Sequence, residues 1–171
     1  DIKTKEGLLK NFSFDLPGRH NVANAVTAVA MALELGFSAE KLAAGLKSFK
    51  GVERRFSYRI KNDDLVLIDD YAHHPTEIAA VHQAVREMHP GKKVLAVFQP
   101  HLFSRTRDFA EGFAESLGQF DELLLLDVYP AREEPIEGVS SRWLLNLVPN
   151  ENKKLVGKSG LSEEIMARNP E

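Results

Sequence analysis

The chain has 171 residues, of which 43% are hydrophobic and 27% charged, with a formal net charge of -3 and no cysteine. A chain of that length buries roughly 70% of its unfolded surface, enough core for one domain or one and a half. The missing thiols exclude disulfides and thiolate metal sites, and the acidic balance without a basic stripe argues against nucleic-acid binding by phosphate neutralisation. No apolar run approaches the roughly 18 residues that a membrane helix needs, and no secretory leader pattern is present, so a cytoplasmic protein is expected. The chain opens as if in mid-strand and closes on Asn169, Pro170 and Glu171 without a finishing element, which reads as a piece of a longer polypeptide.

Residues 1–16 alternate weakly, with Leu8, Phe12 and Phe14 on a partly exposed strand-pair pattern and Gly7 at a turn. Pro17 and Gly18 break the chain. Val22, Ala25, Val26, Val29, Ala30 and Leu33 then recur at helical spacing and predict a helix from Asn21 to about Leu35, with Gly36 as its C-terminal stop. Ser38 is placed to cap a second helix from Ala39 to about Phe49. After Gly51 strand and helix patterns alternate, and a domain boundary is expected there.

Phe56–Ile60 and Leu65–Ile68 read as strands joined by a turn at Asn62, Asp63 and Asp64. Pro75 suits the first position of a helix reaching about Met88. A buried strand, Val94–Phe98, is followed by a helix from Ser104 to about Leu117, and a further strand is expected over Leu123–Leu126. The proline-punctuated stretch 129–138 is a loop. A short helix near Trp143–Val148 capped by Ser140 or Ser141, a strand at Lys154–Val156 and a helix at Leu161–Arg168 complete the pattern. Such alternation implies right-handed crossovers and a mainly parallel sheet with flanking helices.

Ligands of open α/β sheets bind beyond the carboxyl ends of strands. The apolar run Leu65–Ile68 ends there on Asp69, Asp70, Tyr71, Ala72, His73, His74 and Pro75. A carboxylate at that point can accept hydrogen bonds from ribose hydroxyls, or it can cap the next helix or pair with an arginine. The adjacent His73 and His74 diverge, so one is free to meet an anionic group while the other packs. A metal site would have to recruit Glu77 or Asp70 beside them. Arg105 and Arg107 stand in the first turns of a predicted helix, against its dipole, which is understandable if an anion meets them; an ion pair with Asp108 or Glu111 is the alternative. Arg54 and Arg55 at the boundary suit a phosphate, since a guanidinium makes paired hydrogen bonds to it, or they are simple surface charge. Asn21 suits an adenine edge or caps its own helix. No GxxxxGK[ST] or GxGxxG phosphate loop occurs.

Five segments in order carry a resemblance: Gly18-x-His20-Asn21-x-x-Asn24, Glu53-Arg54-Arg55-Phe56, the run Asp70 to Glu77, the run Phe98 to Thr106, and the run Asp127 to Ile136. Together they closely resemble the Mur ligases. The resemblance implies an α/β, Rossmann-like C-terminal domain over residues 51–171, truncated at its end, preceded over 1–50 by the strand and helix tail of a central ATPase domain whose phosphate loop lies upstream. It implies an ATP-dependent enzyme of peptidoglycan synthesis that joins L-alanine to UDP-N-acetylmuramate through an acyl phosphate. Mg2+ ligands would lie mainly outside the segment, and the segment alone would be inactive. By the same resemblance His20, Asn21 and Asn24 face the adenine, Arg55 reaches the nucleotide and Asp70 meets its ribose. Tyr71, His73 and Arg105 then lie by the incoming amino acid, with Arg105 holding its carboxylate. Some family members carry a second arginine where Leu102 stands. Alternatives are a recycling ligase that adds a tripeptide to the same sugar, a nonenzymatic nucleotide-binding module, and a metal-dependent hydrolase on Asp70, His73, His74 and Glu77.

Overall fold

The computed structural model describes residues 1–5 and 7–168; the closing Asn169, Pro170 and Glu171 lie outside the described residues. Strands β1 (Ile2–Thr4) and β2 (Gly7–Leu9) form the expected antiparallel pair, with Ile2 opposite Leu9. Phe12 and Phe14 fall beyond it in irregular backbone. Helix α1 (Arg19–Glu34) begins two residues before the predicted Asn21, because Gly18, at φ 92, makes the turn into it. It ends where predicted. The Phe37 amide donates to the Ala32 carbonyl at 3.1 Å and that of Gly36 to Leu33 at 2.9 Å, a Schellman closure that needs the left-handed φ of 84 at Gly36. Helix α2 (Ala39–Ser48) is capped by the Ser38 hydroxyl, which accepts the Lys41 amide.

Strands β3 (Ser57–Lys61) and β4 (Val66–Asp69) make an antiparallel hairpin with a register shift between Tyr58 and Ile60. Its turn is held by the Asn62 side-chain oxygen, which accepts the Asp64 and Leu65 amides at 3.1 and 2.7 Å. Helix α3 (Pro75–Met88) leads to β5 (Leu95–Phe98). The single helix expected from Ser104 to Leu117 is instead α4 (Phe103–Asp108) and α5 (Ala110–Leu117), bent at Phe109. Backbone bonds continue through the bend, from Phe109 to Arg105 and from Phe113 to Phe109. The bend serves packing: the Phe109 ring meets His74 at 4.5 Å, and a Cβ on Gly112 of α5 would come within 3.0 Å of Pro75 at the start of α3.

Strand β6 (Glu122–Leu125), helix α6 (Ser141–Leu147), strand β7 (Lys153–Leu155) and helix α7 (Leu161–Arg168) complete the chain. The parallel sheet has the order β5-β6-β7. Among the described residues β4 pairs with β3 and not with β5, so the hairpin is separate from the parallel sheet. Between the facing strands, a cavity of about 500 Å³ is lined by Leu65–Ile68 on one side and Val94–Phe98 on the other.

The core lies in the second half. Leu123, Leu124 and Leu125 of β6 are fully buried, and Ile78, Phe113, Leu117, Leu144 and Val148 belong to the same core cluster as Leu123 and Leu125. Each such side chain contributes about 1.5–3 kcal/mol by leaving water. Of the apolar face predicted on α1, Ala25 and Val29 are buried, while Val22 and Val26 stay exposed. Among the described residues no helix is long and apolar enough to cross a membrane.

Candidate active site

The site is built where β4 runs out. Asp70 directs one carboxylate oxygen to the Phe56 amide and the other to the Ala72 amide, each at 2.7 Å. The Tyr71 amide donates to the Arg54 carbonyl at 2.7 Å. These bonds fasten the loop entering β3 to the loop leaving β4. They also hold two non-glycine residues in the left-handed region, Arg54 at φ 58 and Phe56 at φ 51, a costly backbone that persists only where surrounding structure enforces it. Phe56 is buried, which anchors the enforcement.

That backbone throws both arginines over Tyr71, with guanidinium carbons 5.0 Å (Arg54) and 5.9 Å (Arg55) from its ring centroid. Arg54 also lies 3.8 Å from Asp69, and Arg55 lies 3.6 Å from Glu77. Asp69 pairs more closely with Arg59, at 2.9 Å, so this carboxylate takes the ion-pairing role open to it in the sequence. Asp70 spends one lone pair per oxygen on backbone and keeps a second on each.

His73 and His74 do diverge. The Nδ1 of His73 sits 2.9 Å from the Tyr71 carbonyl, so this nitrogen carries a proton and donates, while Nε2 makes no hydrogen bond among the described residues. His74 instead caps α3: its Nδ1 accepts from Thr76, and its ring packs on Phe109. Glu77 completes the capping box by accepting the His73 and His74 amides at 2.9 and 3.2 Å. Its Oε2 is also 3.4 Å from His73 Nδ1. Burial opposes ionisation of Glu77, but the His73 amide, the charges of His73 and Arg55 and the His74 amide outweigh it and hold the carboxyl below its ordinary value. From the sequence, the role open to the Glu77 carboxylate is that of a metal ligand. Its place three residues into a helix that opens on proline was the available signal, disguised because the capping residue is histidine rather than serine or threonine.

Arg105 lies on α4, one turn before the Phe109 that packs on His74, and is half-buried. Among the described residues its guanidinium makes no hydrogen bond or ion pair. Arg107, by contrast, pairs with Asp108 at 2.8 Å. The anion meeting the start of α4 is internal: Glu133 accepts the Ser104 amide at 2.9 Å and the Ser104 hydroxyl. His20, Asn21 and Asn24 stand apart from the Arg55, Asp70, Tyr71 and His73 network, with no hydrogen bond, ion pair or ring contact to it among the described residues. Asn21 lies inside α1 rather than capping it, its side-chain amide donating to the Pro17 carbonyl at 2.7 Å. The start of α1 faces the middle of α3, where a Cβ on Gly18 would lie 3.5 Å from the Ala84 methyl. Among the described residues no three His, Asp or Glu side chains converge as a metal ion requires, which leaves the hydrolase alternative without a ligand set.

Comparison with known proteins matches this frame. Residues 54–159 match the family model described as Mur ligase, glutamate ligase domain. The UDP-N-acetylmuramate--L-alanine ligase of Christiangramia forsetii is 66% identical over 171 residues, which is 100% of this chain and 38% of that protein. The protein of the same name from Flavobacterium johnsoniae is 60% identical over 98% of this chain and 37% of its own length. The chain therefore spans a little over a third of these relatives. A crystal structure of UDP-N-acetylmuramate-alanine ligase from Thermotoga maritima superposes with a TM-score of 0.71 at 28% identity, covering 90% of this chain and 33% of that one. A Mycobacterium tuberculosis folylpolyglutamate synthase complexed with ADP shares the fold, at a TM-score of 0.73 and 15% identity over 95% of this chain and 36% of its own. The chain belongs to the Mur ligase family.

Proposed function

We propose that the protein of which these residues are part is an ATP-dependent ligase that joins L-alanine to UDP-N-acetylmuramate in cytoplasmic peptidoglycan synthesis. The observation that carries this reading is the 66% identity running the full length of the chain to a relative of that name. Residues 1–50 close its central ATP-binding domain and residues 51–171 form most of its C-terminal domain, in which Arg55, Asp70, Tyr71 and His73 share one network.

The reaction has two steps. The lactyl carboxylate of the sugar takes the γ-phosphoryl group of ATP, giving an acyl phosphate and ADP. The alanine nitrogen then attacks the acyl carbon, the C–O bond to phosphate breaks, and the nitrogen gives up a proton as phosphate leaves.

The residues of this chain suit such a nucleotide. The Arg55 to Glu77 pair is solvent-accessible and worth at most about 1 kcal/mol, so a polyphosphate of higher charge displaces Glu77 and takes the guanidinium. Asp70 offers its spare lone pairs to ribose hydroxyls. Arg105, unpaired and half-buried, takes the alanine carboxylate, while Tyr71 and the free Nε2 of His73 line the approach of its amine. His20, Asn21 and Asn24 serve the adenine. Mg2+ would supply charge neutralisation to phosphoryl transfer, with its ligands mainly in the rest of the polypeptide.

The test is phosphate release by the full-length protein with ATP and UDP-N-acetylmuramate. Release dependent on L-alanine is expected. Release with a tripeptide instead would mark the recycling ligase, and nucleotide binding without release would leave a binding module.

A further inference from the structure

Helix α4 begins at a residue unfit to begin it. Leu102 occupies the N-cap position, has no side-chain acceptor, and sits at φ 75, ψ 132, a conformation costly for any residue but glycine. The cap comes instead from a residue 29 positions after Ser104. Glu133 accepts both the amide and the hydroxyl of Ser104, the second residue of the helix.

The loop that carries Glu133 is tied to the same turn. The Tyr129 amide donates to the Pro100 carbonyl at 2.8 Å, and the Leu102 amide donates to the Tyr129 carbonyl at 2.9 Å. The Tyr129 ring packs at a tilt on His101, centroids 5.3 Å apart. Glu133 itself is placed by a turn in which its amide donates to the Pro130 carbonyl at 3.0 Å. From the other side buried Thr106 returns its hydroxyl to the Leu102 carbonyl at 2.7 Å. The turn from β5 into α4 is thus clamped on both sides, and Arg105, the residue after Ser104, leaves the clamp with its guanidinium uncommitted.

We infer that Glu133 is a positioning residue for Arg105: by capping α4 in place of Leu102, it sets where the guanidinium meets the carboxylate of the incoming amino acid. This rests on the reading of Arg105 given above. Hydrogen bonds from Ser104, the Phe103 amide and, least, the nearby charge of Arg105 outweigh burial and hold the Glu133 carboxyl below its ordinary value, so it is an anion throughout the neutral range. The assignment also gives a role to the run Asp127 to Ile136, which the proposed reaction does not otherwise use.

The test uses the full-length enzyme with saturating sugar nucleotide. Glu133→Ala should raise the KM for L-alanine about tenfold or more, since small misplacements of a binding group are costly, while the KM for ATP stays within about twofold. Glu133→Gln can still accept the Ser104 amide and donate to its hydroxyl, and should restore the alanine KM to within about threefold. Ser104→Ala, which removes half of the cap from the other side, should move the alanine KM in the same direction by a smaller factor. An unchanged alanine KM in Glu133→Ala would overturn the inference. So would a parallel fall in every kinetic parameter and in thermal midpoint for both Glu133 variants, which marks a purely structural cap. Arg105→Ala is the control: if it leaves the alanine KM unchanged, the reading of the site fails and this inference with it, whereas a rise there without one in Glu133→Ala sinks this inference alone.

Discussion

One carboxylate oxygen of Asp70 accepts the amide of Phe56 at 2.7 Å, across fourteen residues of chain, and the residue receiving that support is itself in a left-handed conformation. The bond fixes the backbone that carries Arg54 and Arg55 against the backbone that carries Tyr71 and His73. A single carboxylate therefore sets the geometry of the two halves of the cluster.

Removing that carboxylate should loosen both halves. Asp70→Ala leaves the Phe56 and Ala72 amides without their acceptor and should lower stability by about 1–3 kcal/mol, with Asp70→Asn intermediate because one oxygen remains. Urea unfolding of the 171-residue chain measures this. In the full-length enzyme Asp70→Ala should also raise the KM for ATP, and a change in stability with no change in that KM would reduce Asp70 to a structural role.

Leu102 should be improvable. Leu102→Gly removes the penalty of a left-handed backbone and should raise stability by about 1 kcal/mol despite the added freedom of the unfolded chain. For a domain of this size that is a rise of about 2–4 °C in thermal midpoint. A fall of the same size would show that the Leu102 side chain contributes more than its backbone costs.

Core and periphery should respond differently. Leu124→Ala, in fully buried β6, should cost about 2–5 kcal/mol. Met31→Ala, on the open side of α1, should stay within about 0.5 kcal/mol. Equal effects would mean that α1 is covered in solution by something these residues do not show.

Stability should fall with acid in two stages. Burial and the neighbouring Arg86 charge press His82 below its ordinary 6.5, outweighing the opposing effects of Asp121 and Gln119. Arg86 donates to its Nε2 at 3.2 Å, a bond that needs the neutral ring. The unfolded chain thus takes up the proton first, and stability is complete above about pH 6.5 and is lost as pH falls toward the folded value. Glu77 and Asp121 lie below their ordinary 4.5 and 3.8, because amide bonds and nearby cations outweigh burial, so their contribution is present above those values and is lost as pH falls through the folded ones. Unfolding midpoints followed from about pH 8 to 3 should show both stages, and His82→Asn should abolish the first. Persistence of the first stage in that variant would assign it elsewhere.

The bend at Phe109 and the capping of α4 mark the limit of local reading. A helical pattern from Ser104 to Leu117 is present in the residues, but the ring of His74 and the approach of Gly112 to Pro75 decide its axis. Likewise the arginines in the first turns of α4 suggest an anion there, and the carboxylate that the structure sets at the start of that helix is Glu133, bonded to Ser104, which no spacing within the segment could indicate. For Arg107 the plain ion pair with Asp108 accounts for the residue, whereas Arg105 remains open.

The residues alone determined the kinds and order of elements, the family, and the cluster beyond β4, because hydrophobic period, turn chemistry and a strand's intolerance of charge are properties of short stretches. Only the tertiary structure decided that Asp70 spends its inner lone pairs on backbone, that Glu77 joins Arg55 to His73, and that the start of α1 faces Ala84 rather than this network. Those outcomes depend on which distant groups meet, and a carboxylate or an amide has no preference among equivalent partners until packing brings one of them within about 3 Å.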